Sequence, residues 1–448
     1  MGKHSGDGMS RREFISLSSA CSLAAPVLPG ASSARPVLAA NWKDPDGPNH
    51  VKATTLRDYL KKVTCTREEV EIYLDPRQPN WARFDPELGY TLQTNILKDG
   101  MNGCRTVETF VKSGERLTIN GYRKNCRINA YGNSFTLCQE TSDGETWEEY
   151  LAAHLCEPIR NFGIGGYGTY QAYLRMKRQE ATPSGAEYLL LTIWDKDDYL
   201  RSIDSWRWIR FGPWWRTQPG HLNMFHGNPW NYIRLNLETG NAIEIENTFR
   251  TPQSLYQLCD PDFVYSHFKD DLIVQLVAAE NGAIDVNRSA LRDAAEALGI
   301  TPRLDSPEAM ARTAGAVHLE YALRAGKLVV EKALAYAGAH RKKLMVLLSF
   351  GEDSVTAACE GRPRFDQAVL DFLREKQIPY GDALVKHEED YKNFKISPRE
   401  YAKRFYWGHY NPMGNHFFAF AVKDAIVGWL DPKPLAYRKG SETIPAVT

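Results

Sequence analysis

The sequence lacks a long hydrophobic run. After the N-terminal 40 residues, no stretch reaches the roughly 18 consecutive apolar residues that a membrane-spanning helix requires, so no stable membrane span is predicted. An excess of charge of one sign is also missing, because 55 Lys and Arg balance 55 Asp and Glu. Such a chain is not expected to recruit nucleic acid or an anionic membrane through a global field. We therefore expect a neutral or small partner.

Cysteine motifs for metal binding are absent as well. The chain has 8 Cys, but no pair has the CxxC spacing typical of zinc sites, so neither a metal nor another cofactor is predicted. Loss of the N-terminal segment would remove Cys21 and leave an odd number, and hence at least one free thiol. Disulfides are allowed in an oxidising compartment, but the sequence does not choose the pairs. The sequence shows no internal repeat and does not indicate an oligomeric state.

Residues 1–40 have the order of an export signal. Arg11 and Arg12 stand between Ser10 and Glu13-Phe14-Ile15, and a mildly apolar run then leads to small residues at 31–34. This order is typical of a twin-arginine signal peptide, whereas a flexible leader before a short helix explains the small residues less well. We expect the protein to fold in the cytoplasm and to act in the periplasm or outside the cell.

Two segments differ in composition from the rest. Residues 41–125 are rich in charge, Pro and Gly, and predict an N-terminal extension that packs on the main domain. It contains a helical pattern at Thr55–Lys62 and strand-like pieces such as Val70–Leu74. Residues 200–339 begin with clustered tryptophans and continue as helices, which predicts a Trp-rich and mainly helical insertion or cap.

Residues 126–199 and 340–432 predict the core. Apolar strands alternate there with amphipathic helices, a pattern that favours a parallel sheet covered by helices on both faces. Counting the strands gives a five-stranded sheet, whose members are Arg127–Gly132, Ile159–Phe162, Tyr188–Trp194, Leu344–Phe350 and a last strand near Ala383–Val385.

Polar or glycine-rich turns follow the first three of these strands. Ser134 follows the first strand, the glycine-rich turn 163–168 follows the second, and Asp195–Asp198 follow the third. In a parallel sheet such ends lie side by side, and ligands bind outside them. A serine needs a base to accept its proton. We predict Ser134 as the nucleophile and His409 as the base, with His416 as the competing base.

Four blocks in this order resemble the signature of the SGNH (GDSL-type) hydrolases. The blocks are Gly132-Asn133-Ser134-Phe135-Thr136, Asn161–Thr169, Asp195–Asp198 and Gly408-His409-Tyr410-Asn411-Pro412, with Phe84–Tyr90 similar to a stretch often found upstream. The first block is not the α/β-hydrolase elbow, because no glycine stands two residues after the serine. The resemblance covers residues 84–200 and 340–430. It implies a three-layer α/β/α sandwich that hydrolyses esters without a cofactor.

The resemblance also implies a role for each matched residue. Ser134 would be the nucleophile and, through its N–H, an oxyanion donor; Gly166 would supply a second donor, and His409 the base. The family's third donor, an asparagine, is matched here by Asp197. An ionised carboxylate cannot donate a hydrogen bond, so Asp197 is expected to serve only if burial keeps it protonated.

The acid that orients the histidine is also not where the family has it. Two or three residues before His409 the chain has Trp407 and Tyr406. Another carboxylate must then orient the imidazole, since loss of this acid costs about 10⁴-fold in the serine proteases. The candidates for that acid are Asp195, Asp198 and Asp390.

The likeness points to small acyl esters, including acetyl groups on polysaccharide, as substrates. Tryptophan faces stack on sugar rings, so the candidate substrate aromatics are Trp206, Trp208, Trp214 and Trp215, although the same cluster is also typical of a cap's own core. Two other functions share the sequence pattern. One is a catalytically inactive member that binds glycans through the aromatic insertion, and the other is an acyltransferase to a polysaccharide.

Overall fold

The computed structural model describes residues 53–78, 82–98, 105–121, 125–217 and 227–438. The predicted twin-arginine signal lies outside the described residues. Within the part of the chain that is described, no helix is both long and apolar enough to cross a membrane.

A five-stranded parallel sheet lies at the centre of the fold. The described strands are β1 (Ala82–Asp85), β2 (Gly89–Leu92), β3 (Asn95–Lys98), β4 (Arg105–Glu108), β5 (Ile128–Tyr131), β6 (Arg160–Asn161), β7 (Tyr188–Trp194), β8 (Tyr232–Leu235), β9 (Ala242–Ile245), β10 (Lys343–Ser349) and β11 (Tyr380–Asp382). The central sheet has the order β11-β10-β7-β5-β6 with every neighbouring pair parallel. The other strands form the antiparallel pairs β1-β2, β3-β4 and β8-β9. The predicted parallel sheet is confirmed.

Most of the remaining chain is helical. The described α-helices are α1 (Leu56–Val63), α2 (Arg67–Leu74), α3 (Ser134–Leu137), α4 (Trp147–Leu155), α5 (Thr169–Glu180), α6 (Asp195–Ile203), α7 (Trp208–Trp215), α8 (Pro261–Phe268), α9 (Leu272–Glu280), α10 (Arg288–Ala297), α11 (Pro307–Ala339), α12 (Glu352–Cys359), α13 (Gln367–Glu375), α14 (Ala383–Tyr391), α15 (Pro398–Lys403) and α16 (Pro412–Trp429). Short 3₁₀ helices span Pro252–Cys259 and Leu435–Tyr437.

Burial explains why the central strands are nearly continuous apolar runs. Every residue of β5 is buried, and so are β7 up to Ile193 and β10 after Lys343, as expected for a parallel sheet covered on both faces. The helices α5, α6 and α11 pack on one another and on these strands. A second group, α4, α14 and α16, packs together and reaches β10 and β11. The architecture is α/β and consistent with three layers.

Two local predictions were wrong. The last strand of the sheet is Tyr380–Asp382, and the predicted strand Ala383–Val385 instead begins α14, because the Asp382 side chain accepts the N–H of Leu384 and caps that helix. The strand-like piece Val70–Leu74 belongs to α2. There Thr66 and Glu69 form a capping box, and Val70 and Tyr73 are buried one helical turn apart.

The segments outside the predicted core pack closely against it. In the extension, the Tyr90 hydroxyl donates to the carbonyl of Gly165 at 2.6 Å, and the Tyr167 hydroxyl donates to the carbonyl of Tyr90. In segment 200–339, the long helix α11 packs on α5, α6 and β10. The end of this segment therefore belongs to a helical layer of the sheet. The division into extension, core and insertion stays a prediction.

Candidate active site

The turn after β5 presents Ser134 at the start of α3. Asn133 shapes this turn, because its side-chain oxygen accepts the N–H of Phe135 at 2.7 Å and its amide donates to Asp198 Oδ1 at 2.7 Å. Gly132 is required there, since a Cβ at this position would lie 2.1 Å from Thr136 Oγ1. Ser134 itself is only 5% exposed. The serine is thus held on a short, well-anchored turn.

His409 meets this serine from the far end of the chain. The Ser134 hydroxyl and His409 Nε2 are 2.8 Å apart, which is hydrogen-bonding distance. The segment around His409 is fixed by a hydrogen bond from the Trp407 N–H to its carbonyl at 2.9 Å, and Asn411 caps the following helix α16. The structure brings together the two residues that the sequence predicted as nucleophile and base.

Glu140 is the carboxylate beside His409, and it was not predicted. Its Oε1 lies 3.1 Å from His409 Nδ1, and its Oε2 accepts the backbone N–H of His409 at 3.3 Å. The contact at Nδ1 is close but off the line of the N–H, so it is not a well-aligned hydrogen bond. Catalytic hydrogen bonds are often loose in this way before a substrate binds. Ser134, His409 and Glu140 therefore form a serine–histidine–acid arrangement.

Glu140 was missed because it stands in an unexpected place. The acid was sought before His409 and after β7, whereas Glu140 lies just six residues after the serine. Its backbone has φ +72°, a left-handed conformation that few residues other than glycine adopt. Such strain is often kept at functional sites. An acidic residue in the turn directly after the nucleophile block was the available signal.

The three predicted acids have other partners, and this corrects the prediction. Asp195 accepts the N–H groups of Lys196 and Gly351, at 2.7 and 3.0 Å. Asp198 accepts from Asn133 and from the Trp194 N–H at 2.8 Å, and burial raises its pKa to about 8. Asp390 accepts the hydroxyl of Tyr401 at 2.9 Å. These carboxylates cap and brace the chain, and Glu140 occupies the place predicted for them.

Asp197 is also not an oxyanion donor through its side chain. Its Oδ2 lies 2.5 Å from Arg201 Nη2 and its Oδ1 2.6 Å from Arg210 Nη1. Burial opposes ionisation of this carboxyl, but the charges of Arg201 and Arg210 outweigh burial and hold its pKa well below the ordinary range. Asp197 is therefore ionised, and the condition under which it could serve as an oxyanion donor is not met.

Gly166 lies against a buried cationic group. Its φ is +83°, and a Cβ here would lie 2.4 Å from Arg207 Nη1 and 2.5 Å from the Tyr90 hydroxyl. Arg207 is 4% exposed, and its Nε and Nη1 have no hydrogen-bond partner among the described residues. Burial, with the nearby charge of Arg201, lowers the pKa of Arg207 to about 10, so it stays protonated at neutral pH. Gly166 remains a predicted backbone donor.

Aromatic rings surround the serine and histidine. The ring of Phe135 stacks on Trp194 with centroids 4.3 Å apart, lies 5.0 Å from the His409 ring, and packs edge-on against Tyr410. The Tyr410 hydroxyl is 3.0 Å from Ser349 Oγ at the end of β10. The site is thus built at the ends of β5, β7 and β10. The sequence predicted the ends of β5 and β7, together with the turn after β6 that carries Gly166, but not the end of β10. Its apolar walls lower the local dielectric around the reacting groups.

The predicted substrate aromatics lie mainly in the protein's own core. Trp206 and Trp208 are fully buried, so neither ring is available to stack on a sugar, and the prediction is wrong for both. The Trp206 indole N–H donates to the Gly227 carbonyl at 2.5 Å. Trp214 and Trp215 are half-buried, and both contact the ring of Phe211, with centroids 5.1 and 5.2 Å away. The alternative interpretation of the cluster, as core packing, fits these contacts better.

The competing base lies elsewhere. His416 is exposed on α16 and packs edge-on against Tyr150, with ring centroids 5.3 Å apart.

No group of three or more His, Cys, Asp or Glu among the described residues is arranged to hold a metal ion. A scan of the chain against protein-family models finds no match, and a search of curated proteins finds no similar sequence.

Proposed function

We propose that this protein is an exported serine ester hydrolase of the SGNH type that acts on small acyl esters, including acetyl groups on polysaccharide. One observation carries the proposal. The Ser134 hydroxyl is 2.8 Å from His409 Nε2, and the other ring nitrogen is 3.1 Å from Glu140. A serine is a weak nucleophile until a base takes its proton, and a base in this geometry can do so.

The chemistry follows from that geometry in two halves. His409 Nε2 takes the proton of Ser134 as Oγ attacks the ester carbonyl carbon, which forms a tetrahedral oxyanion. When the intermediate collapses, the imidazolium gives that proton to the leaving alcohol and an acyl-serine remains. Water then attacks the acyl carbon as His409 takes one of its protons. When this second intermediate collapses, the bond to Ser134 Oγ breaks, the imidazolium returns the proton to Oγ, and the carboxylic acid leaves. Glu140 stabilises the imidazolium in both halves through its negative charge.

The oxyanion needs donors that do not depend on Asp197. We assign this role to the backbone N–H groups of Ser134 and Gly166. Loss of one such donor costs on the order of 10²-fold to 10³-fold in rate, so the missing asparagine requires compensation. Arg207, buried against Gly166, supplies a positive charge close to this donor. A fixed positive charge that needs no reorganisation stabilises a developing anion.

The rival function, an inactive glycan-binding protein, keeps one of its two sequence supports. Asp197 stands where the SGNH pattern has an asparagine, and its ionised side chain cannot donate to an oxyanion. The other support, the absence of an acid before His409, is weakened because Glu140 lies beside the imidazole. Trp206 and Trp208, which were to bind the glycan, are buried, so the contacts favour the esterase.

The test is reaction of Ser134 itself. We expect the purified protein to hydrolyse 4-nitrophenyl acetate and to release acetate from an acetylated polysaccharide. A fluorophosphonate should label Ser134, as shown by mass spectrometry of the modified peptide, and Ser134→Ala should abolish both labelling and turnover. Ser266→Ala, at an exposed serine on α8, is the matched control and should leave both unchanged. Absence of labelling and hydrolysis in the unmodified protein would rule the proposal out.

A further inference from the structure

Arg116, from the N-terminal extension, holds the turn that carries Glu140. Its side chain is 1% exposed, although it bears a charge. Nη1 donates to the carbonyls of Leu137 and Cys138 at 2.6 and 3.0 Å, and Nη2 donates to the carbonyl of Thr141. Nε donates to Asp143 Oδ1 at 2.9 Å. One buried guanidinium thus binds the chain on both sides of Glu140.

This turn needs such support because its backbone is strained. Both Cys138 and Glu140 have positive φ, at 57° and 72°, without being glycine. Each such residue costs of the order of 1–3 kcal/mol and persists only where its surroundings hold it. The carbonyls of the turn point inward, and buried carbonyls require donors. The five N–H groups of a guanidinium in a fixed plane can satisfy several carbonyls at once.

Glu108, at the end of β4, lies under the same turn. It is 1% exposed, and its Oε1 has no hydrogen-bond partner among the described residues. Burial raises the pKa of the Glu108 carboxyl, whereas the charges of Arg116 and His409 and the nearby backbone N–H of Glu140 lower it. The same strand end binds the turn through its backbone, because the Asp143 N–H donates to the Val107 carbonyl at 3.0 Å.

We propose that Arg116 and Glu108 are positioning residues that hold Glu140 in the place where it can orient His409, so that the N-terminal extension completes the active site. This inference rests on the proposed esterase function. Neither residue touches the serine in the described contacts; both act through Glu140. In this arrangement the extension is a part of the catalytic unit and not a separate packing layer.

The main experiment compares Arg116→Met with Glu140→Gln, singly and together. Rates are measured per active site by fluorophosphonate titration, so that misfolded protein does not count. We expect Arg116→Met to lower kcat about 10²-fold with little change in KM, since a misplacement of about 1 Å has that effect. The double variant should be no slower than Glu140→Gln alone, because both changes remove the same function.

Three further variants separate positioning from general stability. Arg116→Lys keeps the charge but loses the planar donor set, and should still be impaired in kcat. Glu108→Gln keeps an acceptor for the Glu140 N–H and should retain most of the activity at neutral pH, whereas Glu108→Ala should lose it. Arg127→Lys is the control. Arg127 pairs with Glu157 at 2.8 Å. It lies just before β5, whereas Ser134 follows the other end of that strand, so the kcat per active site of Arg127→Lys should stay unchanged.

The outcomes distinguish this inference from the function on which it rests. If the unmodified protein is not labelled at Ser134, the esterase function fails. If it is active and Glu140→Gln is impaired, but the Arg116 and Glu108→Ala variants keep normal kcat per active site, the positioning role is overturned. Strictly multiplicative losses in the double variant would overturn it too. If Arg116→Met does not fold, Arg116→Lys and Glu108→Ala give the same decision.

Discussion

Glu140 contacts His409 twice, with one carboxylate oxygen 3.1 Å from Nδ1 and the other accepting the backbone N–H at 3.3 Å. The nucleophile and the acid come from the two ends of the short helix α3, and the base comes from the far end of the chain. Contact with the backbone as well as the ring fixes the whole histidine and not the imidazole alone.

Replacement of Glu140 by Gln should slow the enzyme. The amide keeps the size of the side chain but loses the charge that stabilises the imidazolium, so we expect kcat to fall by about 10²-fold to 10⁴-fold. Kinetics with 4-nitrophenyl acetate across pH would measure it. Glu238→Gln, at an exposed glutamate in the β8–β9 turn, is the control. Wild-type turnover by Glu140→Gln would mean that the acid has no catalytic role.

Replacement of Asp197 by Asn restores the side chain that the SGNH pattern has there, yet we expect it to harm the protein. The change removes the charge that neutralises Arg201 and Arg210, and breaking a buried ion pair costs about 3–5 kcal/mol. Urea denaturation would report the loss in the free energy of unfolding. Asp262→Asn, in an exposed pair with Arg57, should change it by no more than about 0.5 kcal/mol. A stable and faster Asp197→Asn enzyme would contradict this view.

Gly166→Ala should be far more costly than Gly299→Ala. Both glycines have positive φ, at 83° and 78°, so both substitutions strain the backbone by about 1 kcal/mol. A Cβ at Gly299 meets nothing within 4 Å, whereas at Gly166 it would lie 2.4 Å from Arg207 Nη1. The unfolding free energy and kcat of both variants are measured. The difference between the variants gives the cost of the contact between the added Cβ and Arg207. Equal effects at both positions would show that the packing against Arg207 does not matter.

Glu108→Gln should stabilise the protein at alkaline pH. Burial raises the pKa of Glu108 to about 7, although Arg116 and His409 favour its ionised form. At pH values between the ordinary pKa of a glutamate and about 7, Glu108 holds a proton in the folded state that it has lost in the unfolded state. The free energy of unfolding of the wild-type protein therefore falls as the pH rises through this range. Gln does not titrate. The free energy of unfolding of each protein is therefore compared with its own value near pH 4, where Glu108 is protonated in the folded state.

The gain for Glu108→Gln at pH 8 should then be about 3 kcal/mol. Thermal unfolding of both proteins at a series of pH values would test it. A difference that does not change with pH would show that burial does not raise the pKa of Glu108.

Much of the fold could be predicted from the sequence. Continuous apolar runs such as Tyr188–Trp194 predicted the buried parallel strands, and that strand has the predicted bounds. The predictions were wrong where a short apolar segment did not show whether its apolar residues recur with the period of a helix or of a strand. The apolar pattern predicts strands at Val70–Leu74 and Ala383–Val385, but the capping residues Thr66 and Asp382 start helices there. Capping is decided by a single side chain and is easily overlooked in a pattern of hydrophobicity.

By itself, the sequence determined the parallel sheet and the position of Ser134 at its edge, because the carboxyl ends of neighbouring parallel strands lie side by side. His409 does not follow a strand, and its sequence block before α16 predicted it. Only the tertiary structure decided the acid. The choice between Glu140 and the aspartates after β7 depends on where a strained turn projects its side chain, and that turn is held by Arg116 from a distant segment. Contacts between segments far apart in the chain leave no periodicity for a sequence to show.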